Sequence, residues 1–424
     1  MSAASQRRRS WIPIADDSDF PLENLPIGVV RSADGYARVA VAIGERIVDL
    51  AVLARAGLLA PVAADAIDLF AAPACNAFLA RGRTVWSALR ATLTQLFSET
   101  ATAAERGVVE MAFLDPTHVQ LQLPIEVADY VDFYSSIEHA TNLGRILRPG
   151  GEPLLPNYRH IPIGYHGRAS TVVVSGTNVR RPYGQIKGPT DVAPSLGATR
   201  LLDFELELGF ITGPGNAHGE PIVTADAREH IYGVVLLNDW SARDIQGWEY
   251  QPLGPFLSKS FATSISPWIV SLDALEPFRV PNREQEPAPL PYLHVAEPWA
   301  YDIDLAVDLQ TAAMRAKHEA PVPITQTTFS RMYWNMAQQL AHMTINGSRI
   351  RPGDLYGSGT ISGTAPGTYG SMIELTERGA KPLALPNGEL RAFLEDGDLV
   401  SMRGRATRGE LRIGFGEVRG TILA

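Results

Sequence analysis

The run Leu201-Leu-Asp-Phe-Glu205-Leu-Glu207-Leu-Gly-Phe210 alternates acidic and apolar side chains at a period of two. That period belongs to a β-strand, so Glu205 and Glu207 point to one face, only about 6.5–7 Å apart, and Leu202, Phe204, Leu206, Leu208 and Phe210 line the other. Such a strand can simply be a surface strand with a wet acidic face. Two like charges side by side also repel, and a divalent cation turns that repulsion into binding energy. Carboxylate oxygens suit the hard cations calcium and magnesium.

The surrounding texture agrees with a strand-rich chain. From about residue 119, short apolar runs recur between Gly and Pro punctuation: Ser170–Ser175, Leu201–Thr212, Ile231–Asn238, Ile265–Leu272, Tyr301–Leu309, Gly370–Leu375, Asp398–Arg403 and Val418–Leu423. This spacing predicts a mainly β, α+β fold with a mixed β-sandwich or roll, not a doubly wound sheet. One helix interrupts it, marked by Phe329, Met332, Tyr333, Met336, Leu340 and Met343 at helical spacing, a stripe that reads as core. Upstream, Ile27–Leu50 predicts two or three short strands with a hairpin at Asp34-Gly35. Val85, Leu89, Leu93 and Leu96 fall on one face of a helix. A small mixed domain over residues 1–118 and a second domain over 119–424 follow.

Composition sets outer limits. The 424 residues are 45% hydrophobic and 20% charged, enough apolar material for a sizeable core. A net charge of −9 argues against nucleic acid and anionic membranes, whose affinity needs clustered cations. A single cysteine, Cys75, excludes an internal disulfide and a thiolate metal cage, and its apolar surroundings read as inert packing. No apolar run approaches the ~20 residues of a membrane span. The basic start Met1–Ser10 has no apolar stretch behind it, so it does not read as a secretory signal, and a cytoplasmic location is expected.

Further polar residues stand where chemistry is plausible. Asp132 lies in Asp129-Tyr-Val-Asp132-Phe-Tyr134, and Asp239 ends the apolar run Val234–Asn238, where it can equally cap a helix starting near Ser241. Among nine His, His139 stands out because it follows that acidic-aromatic segment and precedes Arg148. Together the three groups offer a metal ligand, a general base and an anion clamp. His160, His166, His230 and His342 have no such company. Arg243, Gln246, Tyr250 and Lys259 crowd donors that can neutralise an oxyanion and a carboxylate, or merely form a charged face. The Gly-rich Tyr356–Gly363 lacks the Lys-Ser/Thr of a phosphate cradle and reads as a tight loop bringing backbone close to a ligand.

Taken in order, Asp129-Tyr-Val-Asp-Phe-Tyr-Ser-Ser, His139-Ala-Thr-Asn, Gly164-Tyr-His-Gly-Arg-Ala-Ser, Leu201–Glu207, Asn238-Asp-Trp-Ser-Ala-Arg-Asp-Ile-Gln246, Pro252-Leu-Gly-Pro-Phe, Arg351-Pro-Gly-Asp-Leu and Ser358-Gly-Thr-Ile-Ser-Gly363 resemble the fumarylacetoacetase family. The resemblance spans about 119–424. It implies a catalytic β-roll preceded by a small SH3-like β-barrel, and a homodimer. It implies that Asp132, Glu205, Glu207 and Asp239 bind calcium, with magnesium near Asp239, Lys259 and Thr263. His139 would activate water, oriented by Glu374. Arg243, Gln246 and Lys259 would form an oxyanion hole, and Tyr134, Arg148, Tyr165, Gln246, Tyr250 and Thr360 would hold a small dianionic diketo acid. The implied reaction is hydrolysis of the carbon–carbon bond of 4-fumarylacetoacetate to fumarate and acetoacetate, in tyrosine and phenylalanine breakdown. Two other readings stay open: another keto-acid enzyme of the superfamily (acylpyruvase, decarboxylase or hydratase) and a ligand-binding module without catalysis.

Overall fold

The computed structural model describes residues 7–424. The reading of a missing secretory signal rests in part on Met1–Gln6, which lie outside them. Alternating apolar residues make β1 (Ile27–Arg31), β2 (Ala37–Ile43) and β3 (Arg46–Asp49), an antiparallel meander. The expected hairpin at Asp34-Gly35 joins β1 to β2, with Gly35 at φ 83°, where glycine pays no Cβ penalty. Helix α1 (Arg83–Phe97) presents the expected face, burying Trp86, Leu89, Leu93, Leu96 and Phe97.

The second part begins with β4 (Tyr130–Phe133) and α2 (Ile137–Leu147). It continues through β5 (Leu206–Thr212), β6 (Ile231–Asp239), α3 (Arg243–Glu249), β7 (Thr263–Ile265) and β8 (Trp268–Ser271). Next come β9 (Asp304–Gln310), β10 (Val322–Thr328), α4 (Met336–Thr344), β11 (Leu355–Gly357) and α5 (Met372–Leu375). Two long strands, β12 (Leu399–Arg408) and β13 (Leu411–Leu423), close the chain.

One large mixed sheet runs through both parts, in the order Phe113–Leu114, β3, β2, β1, β8, β6, β5, β11, β4 and Gly164–His166. A five-stranded sheet, β10-β9-β12-β13 with Val179–Arg180, packs against it, and the main core fills the space between, including Phe204, Phe210, Leu236, Trp240, Met402, Phe415 and Val418. The architecture is therefore mixed α and β, built on sheets. Among the described residues no barrel closes. The N-terminal strands join the large sheet because β1 pairs with β8, Ile27 opposite Ile269 and Gly28 opposite Trp268. A Cβ on Gly28 would lie 2.7 Å from the Trp268 ring and 2.5 Å from the Pro267 carbonyl oxygen, so this pairing needs glycine. A second core is shared across the junction, with Val29, Val41 and Leu89 meeting Ile211, Leu237 and Ile269.

Two local expectations change. The 329–343 stripe is not one helix: Phe329–Arg331 form a 3-10 turn and α4 starts at Met336, because the Asn335 side chain accepts from the Gln338 amide and Gln338 answers in a capping box. Gly370–Leu375, expected as a strand, ends in the short helix α5. There the carboxylate of Asp203 accepts the amides of Met372 at 2.6 Å and Ile373 at 3.1 Å, drawing the chain into a turn.

Candidate active site

Strands β4, β5 and β6 of the large sheet, with β11 between β5 and β4, bring the acidic residues to one point. Leu206 lies opposite Asn238 and Glu207 opposite Leu237, so Glu205, just before β5, faces Asp239 at the end of β6. On the other side β5 pairs with β11, and β11 with β4, setting Gly357 opposite Asp132. Asp132, Glu205, Glu207 and Asp239 thereby each place a carboxylate oxygen within 4.8 Å of the others, all buried. Gly357 leaves the room: a Cβ there would stand 2.7 Å from Asp132 Oδ1 and 3.0 Å from Glu207 Oε2. The loop after β11 closes the cluster, with the Gly359 amide donating to Glu207 Oε2 at 2.9 Å. Gly359 has φ 78°, and a Cβ would strike the Phe133 carbonyl at 2.3 Å.

Electrostatics divides the four acids. Burial, then the neighbouring carboxylates, pushes Asp132 and Glu207 well above the ordinary range. Burial also raises Glu205, but Lys259 and Arg243 beside it outweigh that and hold it at about 2. The ammonium of Lys259 donates to Glu205 and, at 2.6 Å, to Asp239 Oδ2, and Thr263 Oγ1 donates to Asp239 Oδ1 at 2.9 Å. Burial works against the charge on Lys259, and Asp239 and Glu205 more than restore it. A charged ammonium has no lone pair for a metal, so the Lys259 side chain stands here as a counter-charge to the cluster. Among the described residues Asp132 Oδ1 and Glu207 Oε1 are buried with no hydrogen-bond partner. An all-oxygen donor set with two orphaned carboxylate oxygens fits a hard divalent cation.

Beside the cluster, Ser136 caps α2 and sets His139 in its first turn, the hydroxyl accepting the His139 amide at 3.3 Å. His139 Nδ1 meets Glu374 Oε2 at 2.7 Å, both side chains buried. Glu374, on α5, is held further by Ser371 and Ser362, whose hydroxyls donate at 2.7 and 2.9 Å, and by Asn142 Nδ2 at 2.9 Å. Burial raises Glu374, yet His139 and these donors leave it below the ordinary carboxylate value. A carboxylate at Nδ1 fixes the proton there and leaves Nε2 free as an acceptor.

Arg243 opens α3 with Nε on Asp203 Oδ2 and Nη1 on Glu205 Oε1, both at 2.8 Å, and Nη1 on Gln246 Oε1 at 3.0 Å. Its Nη2 is buried without a partner among the described residues. Tyr165 donates to Asp239 Oδ2 at 3.1 Å, as its strand sets it opposite Asp132. Tyr134 packs edge-on against the His139 ring at 5.3 Å. Thr360 Oγ1 and Arg148 Nε are buried and unpartnered among the described residues, and Arg148 Nη2 donates to the Pro153 carbonyl. Tyr250 is half-buried at the end of α3, and its hydroxyl bonds to no other described residue.

The residues that sequence reasoning passed over are the supports: Asp203, Asn142, Ser362, Ser371 and Gly357. Asp203 shares the alternation of Glu205 and Glu207, and Asn142 lies one helical turn from His139, so both carried a signal. Gly357 and Ser362 fall in the Gly-rich loop Tyr356–Gly363, which the sequence marks as a tight loop but not for these roles, and Ser371 carried no signal.

The family pattern described as "Fumarylacetoacetate (FAA) hydrolase C-terminal" matches residues 130–423, and "Fumarylacetoacetase N-terminal" matches 23–124. The chain belongs to the fumarylacetoacetase family. The human protein named fumarylacetoacetase is 49% identical over 418 residues, covering 98% of each chain, and that of Arabidopsis thaliana is 45% identical with the same coverage. The fold recurs in the solved structure of a fumarylacetoacetate hydrolase from Exiguobacterium antarcticum, with TM-score 0.51 over 94% of this chain and 99% of that one, at 15% identity. In this member of the fumarylacetoacetase family, the histidine–glutamate pair, the donors around Arg243 and the four-acid cluster stand in one place.

Proposed function

We infer that this chain hydrolyses the carbon–carbon bond of 4-fumarylacetoacetate, yielding fumarate and acetoacetate in the breakdown of tyrosine and phenylalanine. The observation that carries the reading is the buried His139–Glu374 pair beside the four-carboxylate cluster. His139 Nε2 takes the proton from a water that attacks the substrate carbonyl, and Glu374 holds the ring and stabilises the imidazolium. The oxyanion that forms is met by Arg243 Nη2 and Lys259, with Gln246 bracing the guanidinium. As the carbon–carbon bond breaks, the proton on His139 goes to the departing carbon, and the oxyanion collapses to a carboxylic acid that then loses its remaining proton to water. Tyr134, Arg148, Tyr165, Tyr250 and Thr360 are assigned to the substrate; the unpartnered Arg148 Nε and Thr360 Oγ1 support this.

Asp132, Glu205, Glu207 and Asp239 would hold calcium, and Asp239 with Thr263 would border a magnesium site in which Lys259 supplies charge. A divalent cation there supplies Lewis-acid stabilisation of the enolate that leaves. We further propose a boundary between two domains near residue 118, an SH3-like N-terminal domain, a cytoplasmic location and a homodimer. No helix of the described residues is long and apolar enough to cross a membrane. The dimer is supported by an apolar loop after α3, where Leu253 is 97% and Phe256 70% exposed.

The test is to follow the diketone absorbance of 4-fumarylacetoacetate with calcium or magnesium present. His139→Ala should lower kcat by about 10²–10⁴-fold with KM nearly unchanged, since the base acts in the transition state. Decarboxylation of oxaloacetate without decay of the diketone would favour another keto-acid enzyme. Tight diketo-acid binding by the wild type with no turnover would favour a binding module.

A further inference from the structure

Asp203 lies in the two-residue strand Leu202–Asp203, which pairs with Ser241–Ala242 just before Arg243; its side chain is fully buried, and it touches none of the four clustered acids by hydrogen bond. Its two oxygens serve two different parts of the site. Oδ2 takes Arg243 Nε at 2.8 Å and the Ile373 amide at 3.1 Å, and Oδ1 takes the Met372 amide at 2.6 Å. Helix α5 has only four residues, and its own N-cap residue, Ser371, gives its hydroxyl to Glu374 and not to the helix amides. Asp203 therefore caps α5 from another strand, while it also fixes the plane of the Arg243 guanidinium. A planar fork held at Nε by one carboxylate and at Nη1 by Glu205 has a single free edge, and that edge is Nη2.

We propose that Asp203 is a positioning residue that sets the two halves of the reaction centre in register, aiming Arg243 at the oxyanion and, through α5, Glu374 at His139. The proposal rests on the reading of this site as a hydrolase. It says why the third acid of the alternating strand stands apart from the metal cluster: it is spent on geometry. Asparagine at this position keeps the size but loses the charge opposite Arg243, and it can present only one oxygen to three donors. The resulting drift of the guanidinium and of α5 acts on atoms whose placement decides the rate, where an error of about 1 Å costs about 10²-fold.

Asp203→Asn should lower kcat about 100-fold on the folded enzyme at saturating 4-fumarylacetoacetate, while calcium binding, measured by calorimetry with calcium alone, stays within about threefold. A residue that only stabilises the fold would lower the melting temperature and leave kcat of the folded fraction unchanged, and that result would overturn the proposal. A second measurement does not depend on how that variant folds. In Arg243→Lys, hydrogen exchange of the amides of residues 371–376 should rise at least about tenfold over the wild type, because Asp203 loses the partner that holds it under α5. Exchange equal to the wild type would show that the two halves are not coupled through Asp203. Absence of turnover by the wild type would sink the hydrolase reading itself, and the exchange experiment would still decide whether the coupling exists.

Discussion

Stripping the divalent ion tests the centre of the site most directly. The oxygens of Asp132, Glu205, Glu207 and Asp239 lie within 4.8 Å of one another, so each like-charged pair repels by about 3.5 kcal/mol at an effective dielectric of about 20. Lys259 sits on Glu205 and Asp239 and offsets their share, which leaves Asp132 and Glu207 facing each other without a cation. Chelation should thus cost about 3–4 kcal/mol. The same range follows from linkage, since a ligand at 100 to 1,000 times its Kd stabilises by about 2.7–4.1 kcal/mol. At about 2.1 cal/mol/K per residue, 424 residues give an unfolding entropy of about 0.9 kcal/mol/K, so the melting temperature should fall by about 3–5 °C. The assay is differential scanning calorimetry in chelator, then with calcium, magnesium or zinc restored. Calcium and magnesium should recover both melting temperature and activity, and zinc should do so poorly. Full activity and an unmoved melting temperature in the stripped protein would refute the reasoning and leave the cluster as a merely buried acidic patch.

Glu374→Gln should reduce kcat by about 10²–10⁴-fold, as the amide cannot hold the imidazolium. Glu374 lies below its ordinary value of 4.5, so its ionised form contributes stability above about pH 4.5 that is lost as the pH falls through its depressed value. The melting-temperature gap between wild type and Glu374→Gln should therefore close between pH 6 and pH 3; a gap that widens on acidification would contradict the assignment. Gly357→Ala puts a methyl 2.7 Å from Asp132 Oδ1 and should weaken calcium binding at least about tenfold, read by calorimetry; unchanged affinity would show that the cluster has room to spare.

How much of this was legible beforehand follows from where each signal resides. The period-two run at 201–210 is local, and the structure keeps its consequence: Glu205 and Glu207 share a face and meet Asp239 through strand pairing. The pairing of Glu374 with His139 joins residues 235 positions apart, and no periodicity reports such a contact; only the family resemblance implied it. The helix at 336–344 was misjudged in length because Asn335 starts it, a capping effect that outweighs the apolar stripe before it. Segment 370–375 was misjudged in type for a nonlocal reason. Its apolar residues suit a strand, but Asp203 draws two of its amides into a turn. The open N-terminal sheet likewise depends on β8 reaching β1, which Gly28 permits but does not announce.

Charge balance ties the cluster to the substrate proposed for it. The four clustered carboxylates of Asp132, Glu205, Glu207 and Asp239, with Asp203 joined to them through Arg243, stand against two cations, Arg243 and Lys259. With all five ionised the site is three charges short of neutral, and a dianionic diketo acid entering it would meet net repulsion from buried groups that water cannot screen. A divalent ion bound by the cluster would cover two of those three charges. On the proposed reading, such an ion would matter as much for admitting the substrate as for the chemistry. Linkage makes the dependence reciprocal: whatever affinity the ion lends to the dianion, the dianion returns to the ion. An acidic chain can in this way serve an acidic substrate, because its two buried cations, Arg243 and Lys259, are held in place by carboxylates whose remaining charge a bound divalent ion would neutralise.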